Sequence, residues 1–163
     1  MLHFRRFGFA LALAGLCAAP AGAGLIVHKD LPLDVAKTIA DTAVAACGAK
    51  TYPVSAVVVN RDGDTIVAMR ADEASPHTME NARRKAYTAM TFKQPTAEYA
   101  KKLQDATSVA HQQVTLPNVI AIPGGQPIKS GNQIVGGVGV SGSPGVDDEC
   151  VNAGLEKVKD QLQ

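Results

Sequence analysis

The sequence contains few aromatic residues and no tryptophan. Its 163 residues include three tyrosines and four phenylalanines, and Phe4, Phe7 and Phe9 all lie within the first 23 residues. The rest of the chain has too few aromatic rings to fill an interior. We therefore expect a core built from valine, isoleucine, leucine and alanine.

Neither sign of charge is in excess. The full chain has 16 basic and 15 acidic residues, which gives a net charge of +1 at pH 7 with histidine neutral. Without Arg5 and Arg6 the basic count falls to 14 and the net charge to −1. A nearly neutral chain has no bulk attraction for nucleic acids or anionic membranes, so we expect neither as a partner.

A long apolar run lies at the N-terminus. It spans residues 7–19, follows two arginines, and precedes the small-residue triplet Ala-Gly-Ala at residues 21–23. This order is typical of a secretory signal peptide with its cleavage site. A transmembrane anchor is the alternative, but it needs roughly 20 apolar residues and this run is shorter. We predict a signal peptide over residues 1–23 and one periplasmic or secreted domain over residues 24–163, with no stable membrane insertion after cleavage.

Cysteine is scarce, and its placement is informative. Beyond the predicted signal peptide only Cys47 and Cys150 remain. Two cysteines in an exported chain favour a disulfide between them. The alternative is a pair of separately buried thiols.

The hydrophobic pattern alternates between helical and strand periods. Helices are predicted over residues 33–48, from Ser75 as N-cap to about residue 92, from residue 96 to 106, and from residue 147 to the C-terminus. Strands are predicted over residues 54–60, 65–70, 119–122, 126–129 and 133–141. Tight turns join neighbouring strands, so the order α-β-β-α-α-β-β-β-α predicts an α+β domain with a five-stranded, mainly antiparallel sheet.

Three glycines near the C-terminus imitate a nucleotide-binding motif. Gly137, Gly139 and Gly142 follow the G-x-G-x-x-G spacing of a dinucleotide-binding turn. Only 21 residues remain after Gly142, too few for the rest of a βαβ unit. Residues 147–149 are all acidic and occupy the helix start where a phosphate would bind. The sequence therefore excludes a dinucleotide site here.

The same glycines leave one face of the predicted strand nearly bare. Alternation places Ile134, Gly136, Val138 and Val140 on one face and Val135, Gly137, Gly139 and Ser141 on the other. A row of glycines in a strand marks the close approach of another group. A packed helix and the wall of a ligand site both satisfy this pattern.

Four blocks of sequence together resemble a known family. They are VVVNRDGDTIVAMR, SPHTMENARRKAYTAMTF, IPGGQPI and IVGGVGVSGSPGVDDEC. Their order and spacing are similar to those of the HbpS-like/GlcG family, which includes the C-terminal domain of some corrinoid adenosyltransferases. The resemblance covers residues 33–155. It implies a profilin-like α+β domain with a five-stranded sheet, assembly into homo-oligomers, and haem binding with a role in haem storage, sensing or breakdown.

A haem binder needs an axial ligand and cations for the propionates. His77 lies in the first turn of its predicted helix, where the helix dipole disfavours the imidazolium form and keeps a ring nitrogen free for iron. The cations Arg83, Arg84 and Lys85 follow, and they can pair with two carboxylates. His77, Arg84 and Thr88 share the helix face that points away from the predicted core.

Weaker candidates complete the expected site. Thr88 is an alternative oxygen ligand, and Gly124 and Gly125 are a candidate wall. The motif from His77 to Glu80 offers two metal ligands on one helical turn, whereas a stable site needs a third. The alternative function is an oligomeric small-molecule or sensory module that binds an organic acid or a corrinoid without haem. The sequence names no catalytic constellation, so whether the protein is an enzyme stays open.

Overall fold

The computed structural model describes residues 24–163, and the predicted signal peptide lies outside this range. The helices are α1 (Leu33–Gly48), α2 (His77–Phe92), α3 (Thr96–Lys101), α4 (Ala110–Gln113) and α5 (Asp147–Lys157). The strands are β1 (Ser55–Asn60), β2 (Thr65–Arg70), β3 (Gly125–Ser130) and β4 (Gln133–Ser141). Short 3₁₀ turns follow α3 and α5. Within residues 24–163, no helix has both the length and the apolar character needed to cross a bilayer.

The four strands form one sheet in the order β2-β1-β4-β3, and every neighbouring pair is antiparallel. The predicted α+β class and antiparallel sheet are confirmed, but the fifth strand predicted over residues 119–122 is wrong. This segment pairs with α2 instead of with a strand. The Thr88 hydroxyl accepts a hydrogen bond from the backbone N–H of Ile120 at 2.9 Å, and Arg84 donates to the Val119 carbonyl at 2.5 Å.

The sheet lies between two helical layers. The larger core cluster joins α1 and α5 to one face of the sheet, where Val58, Val138 and Val140 are buried. The smaller cluster joins α2 to the other face through Val57 and Val59. Strand β1 is therefore apolar on both faces, as its continuous valine run predicts. The interior is aliphatic apart from a few aromatic contacts.

A disulfide joins the two helices on the α1 side of the sheet. Cys47 near the end of α1 and Cys150 in α5 are both buried and bonded to each other. The predicted pairing is thus present, and it closes a span of 103 residues. In the chain-entropy account, a loop of this length stabilises the fold by about 4–5 kcal/mol.

The bare face of β4 is covered by α2. A methyl group added at Gly137 would overlap the carbonyl oxygen of Ala86, and one added at Gly139 would overlap that of Ala82. Backbone therefore contacts backbone along this strand, and no space remains for a ligand. Of the two explanations that the sequence left open, the packed helix is correct.

The predicted alternation of β4 fails at its beginning. The pairing with β3 shifts between Ile128 and Lys129, so Val135 is an extra residue on the β4 side. A bulge of this kind reverses the faces of the residues that precede it. As a result Ile134 packs with the α2 cluster, whereas Val135 joins Val138 in the α1 cluster.

The close approach of α2 predicts a sharp effect of a single methyl group. We expect Gly139→Ala to lower the free energy of unfolding by about 1–3 kcal/mol, because the helix must move away from the strand. Gly48→Ala is the matched control, since nothing lies within 4 Å of the added carbon. Urea denaturation measures both variants. Equal stability of the two would contradict this account of the strand.

Candidate functional site

The cleft that contains His77 opens at the N-terminal end of α2. We call it the His77 cleft; it has a volume of about 450 Å³. Its sides are the start of α2, the loop before β3, and the loop between β4 and α5. The lining residues are Pro53, Ser75, His77, Thr78, Asn81, Lys85, Ile122, Pro123, Ser141, Gly142, Pro144, Gly145 and Asp147.

The start of α2 is fixed by backbone and hydroxyl contacts. Ser75 does not cap the helix with its side chain as predicted, because Pro76 holds the N-cap position and makes no side-chain cap bond. The Ser75 carbonyl instead accepts hydrogen bonds from the N–H and the hydroxyl of Thr78, at 3.0 and 2.7 Å. The Thr78 hydroxyl also lies 2.8 Å from that of Ser55 in β1. The first turn is thereby attached to the sheet, and His77 extends from it into solvent.

A buried ion pair forms the floor of the cleft. The Lys85 side chain is 1% exposed, and its Nζ donates to Asp147 Oδ2 at 2.7 Å and to the Val140 carbonyl at 2.8 Å. Charges buried this deeply are tolerated when they are paired and hydrogen-bonded. The ammonium of Lys85 is therefore neutralised within the protein. Lys85 was predicted to pair with a ligand carboxylate, and it is instead paired with a carboxylate of the protein itself.

The other oxygen of Asp147 continues the network toward the disulfide. Asp147 Oδ1 accepts hydrogen bonds from the N–H and the hydroxyl of Ser143, at 2.9 and 2.7 Å. The Ser143 hydroxyl lies 3.1 Å from Cys47 Sγ. All these groups are buried. One polar chain thus runs from the disulfide to the floor of the cleft.

Arg83, Arg84 and Thr88 lie outside the cleft. Arg83 makes two bonds of 2.8 Å to Glu80, which lower the pKa of that carboxyl, and one of 2.9 Å to Asn118. Arg84 and Thr88 bind the backbone of residues 119–120. Thr88 is fully buried, so its predicted exposure is wrong. These side chains attach the segment before β3 to α2 rather than facing a ligand.

Gly124 and Gly125 pack behind the floor instead of forming a wall. Gly124 has φ +108°, and a Cβ there would lie 2.5 Å from Cβ of Asp147. A Cβ at Gly125 would lie 2.6 Å from the carbonyl oxygen of Lys85. Their small size allows the chain to pass close to the Lys85–Asp147 pair.

A second carboxylate adds negative charge beside the floor. Asp148 accepts a hydrogen bond from the N–H of Gly124 at 3.0 Å. Burial raises the pKa of the Asp148 carboxyl, although that hydrogen bond and Lys85 act in the opposite direction. Two acids therefore surround one lysine here, and among residues 24–163 no unpaired cation lines the cleft.

The upper walls of the cleft are largely apolar. Pro53, Ile122, Pro123 and Pro144 are exposed around the opening, and Asn81 lies beside His77 on the next turn of α2. Pockets of this size with apolar walls and few polar groups are typical of small-molecule sites. Within residues 24–163 no cluster of three histidine, cysteine, aspartate or glutamate side chains forms a metal site. The arrangement can accept an uncharged or apolar group beside an imidazole.

Sequence reasoning missed Asp147 as the partner of Lys85. The sequence placed Asp147 only at the start of the last helix, and Asp147 is indeed the first residue of α5. Ser143 and Asp147 are four residues apart, so their hydrogen bonds could have been expected from the sequence. Lys85 and Asp147 are 62 residues apart, and nothing in the sequence indicates that they pair.

The ion pair gives a clear expectation for mutagenesis. Lys85→Met leaves Asp147 buried without its partner, so we expect a loss of about 3–5 kcal/mol in the free energy of unfolding. Adding Asp147→Asn removes the unpaired charge and keeps an acceptor for Ser143, so most of the stability should return. Denaturant titration compares both with Lys101→Met, an exposed lysine for which the loss should stay below about 1 kcal/mol. A double variant as unstable as Lys85→Met would contradict the buried-charge explanation.

Comparison with known proteins gives consistent matches. The family model described as haem degrading protein HbpS-like matches residues 31–156. A double mutant of HbpS from Streptomyces reticuli is 34% identical, with a TM-score of 0.77, and the match covers 88% of this chain and 97% of that chain. An uncharacterized 15.0 kDa protein from the dhaT-dhaS intergenic region of Citrobacter freundii is 31% identical over 113 residues, 69% of this chain and 80% of that protein. A PduOC–haem complex has the same fold at 22% identity, with a TM-score of 0.74 and coverage of 79% and 95%.

Proposed function

The chain belongs to the HbpS-like family, and from this premise we propose that it binds haem in the His77 cleft. The observation that carries the proposal is an exposed imidazole at the rim of a cleft whose upper walls are apolar. The relative PduOC has been crystallised in complex with haem. Fold alone does not determine function, so the residues of the cleft must support the binding themselves.

His77 suits the role of axial ligand. It begins α2 and is exposed at the rim of the cleft, so its ring can reach a group bound there. Its ring nitrogens have no hydrogen-bonding partner among residues 24–163 that would compete for a metal. Haem supplies an iron with open axial positions for such a nitrogen. Pro53, Ile122, Pro123 and Pro144 provide apolar surface on which the macrocycle can lie.

The charges of the floor determine how the ligand is oriented. Lys85 is already paired with Asp147, and Asp148 is close by. A propionate directed at this floor would meet two carboxylates and no free cation. We propose that the apolar edge of the macrocycle enters the cleft and that both propionates remain in solvent.

The openness of the site favours reversible binding over a permanent cofactor. His77 and the rim residues Pro123 and Pro144 are exposed, and the cleft is not closed by any segment among residues 24–163. Together with the predicted signal peptide, this favours storage or sensing of haem in the periplasm or outside the cell. Assembly into a homo-oligomer is what the family resemblance implies. The alternative of an organic acid in the same cleft is disfavoured because its carboxylate would face Asp147 and Asp148.

The iron ligand can be tested by titration with ferric haem. We expect a saturable shift of the Soret band, and Kd should rise about tenfold or more in His77→Ala, because the iron–nitrogen bond is lost. His111→Ala is the control, since His111 is exposed on α4 and lies outside the cleft. An unchanged spectrum and Kd in His77→Ala would show that a residue other than His77 is the iron ligand.

The orientation can be tested with an esterified ligand. Ferric protohaem dimethyl ester carries no free propionates, so we expect its Kd to stay within about twofold of that of haem if both propionates face solvent. The same titration at low and high salt should give similar values for both ligands. A tenfold weaker ester, with strong salt dependence for haem, would show that a cation contacts the propionates.

A further inference from the structure

A second cleft lies at the opposite end of α2. We call it the Lys93 cleft; it has a volume of about 370 Å³. Four segments meet there: the residues before α1, the β1–β2 hairpin, the end of α2, and the β3–β4 hairpin. Helix α2 has 16 residues and so spans about 24 Å. The Lys93 cleft is thus separate from the His77 cleft.

The charged side chains that line this cleft are all basic. Lys29, Arg61 and Lys93 line it, and none of its lining residues within 24–163 is acidic. Lys29 donates to the Ser130 hydroxyl at 3.0 Å and to the main-chain oxygen of Gln163 at 3.4 Å. Arg61 Nε donates a hydrogen bond to Oδ1 of the highly exposed Asp30 at 3.1 Å. Its two terminal nitrogens have no partner within the described part of the chain, so they are available to a ligand.

Lys93 occupies a position that a side chain normally avoids. It is the C-cap of α2 with φ +57°, a left-handed conformation in which glycine is usual. A non-glycine residue there costs free energy, and such costs are concentrated at functional sites. Favourable interaction of a cation with the helix C-terminus is an alternative reason. The Lys93 ammonium, however, makes no hydrogen bond to the last carbonyls of the helix.

The floor between the cations is apolar. Met90, which is 9% exposed, and Ile134 are its apolar residues, and the uncharged polar lining comes from Thr91, Asn132 and Gln133, with His28 beside them. Cations around an apolar floor match a ligand that has an anionic head and a short apolar body. We propose that the Lys93 cleft binds amphipathic carboxylates or phosphate monoesters, with the anion on Lys93 and Arg61. This site is independent of haem binding at His77.

Octanoate and octyl phosphate are suitable probes, with octanol as the uncharged control. We expect saturable binding of one or both anions to the purified protein by calorimetry, weakened by salt, and no binding of octanol at the same concentration. The two anions distinguish a carboxylate site from a phosphate site. Equal binding of octanol, or no binding of either anion at millimolar concentration, would overturn the proposal.

Lys93→Gly separates the binding role from a structural one. It removes the cation and relieves the left-handed backbone, so the midpoint of thermal unfolding should hold or rise while Kd for the anion rises about tenfold. Arg61→Gln should weaken binding similarly, and Lys37→Gln, on the exposed side of α1, should leave Kd within about twofold. Unchanged anion binding in Lys93→Gly would overturn the site even if haem titrates normally. If haem does not bind at His77, the anion-binding measurements still test the Lys93 cleft in the same way.

Discussion

The structure depends on direct contact between the backbone of β4 and the backbone of α2. Gly137 and Gly139 have no side chains, so the carbonyls of Ala86 and Ala82 approach the strand directly. That short separation allows Lys85, on the same helix, to reach the Val140 carbonyl on β4 and Asp147 at the start of α5. The same contact fixes the direction of the helix that carries His77. A larger residue in the strand would displace the helix, the ion pair and the cleft together.

The Lys85–Asp147 pair determines which ligands the His77 cleft can accept. A lysine next to a cleft suggests an anion site when only residue types are considered. Burial of that lysine against Asp147, with Ser143 completing the second oxygen, removes it as a free charge. The cleft then offers an imidazole, an amide and apolar walls. In contrast, within residues 24–163 the cations at the other end of α2 either have no acidic partner or share an exposed acid, and so that end is the one suited to anions.

Much of the fold could be predicted from local patterns. The period of α1 and the valine run of β1 both determine structure within a few residues. The paired cysteines also followed from composition. The strand expected at residues 119–122 failed because hydrogen bonds from α2 side chains replaced a strand ladder there. Similarly, the bulge at Val135 has no signature in the alternation of β4 itself.

The candidate site was less predictable because it depends on distant contacts. His77 was identified from its place in the first helical turn, a local property. The helical wheel then placed Thr88 on the exposed face, but the segment before β3 folds over that part of α2 and buries it. Lys85 was misjudged for the same reason, since its partner lies 62 residues away. Only the tertiary packing distinguishes a cation available to a ligand from one already paired.

Helix α2 joins the two clefts and is packed against β4 along its central turns. Sliding it by one turn, about 5.4 Å, would separate Lys85 from Asp147 and would misplace both clefts at once. New ligand preferences are therefore most accessible through changes at the tips of α2 and in the loops opposite them. The central turns of α2 fix the positions of both clefts, so redesign of either cleft should leave these turns unchanged.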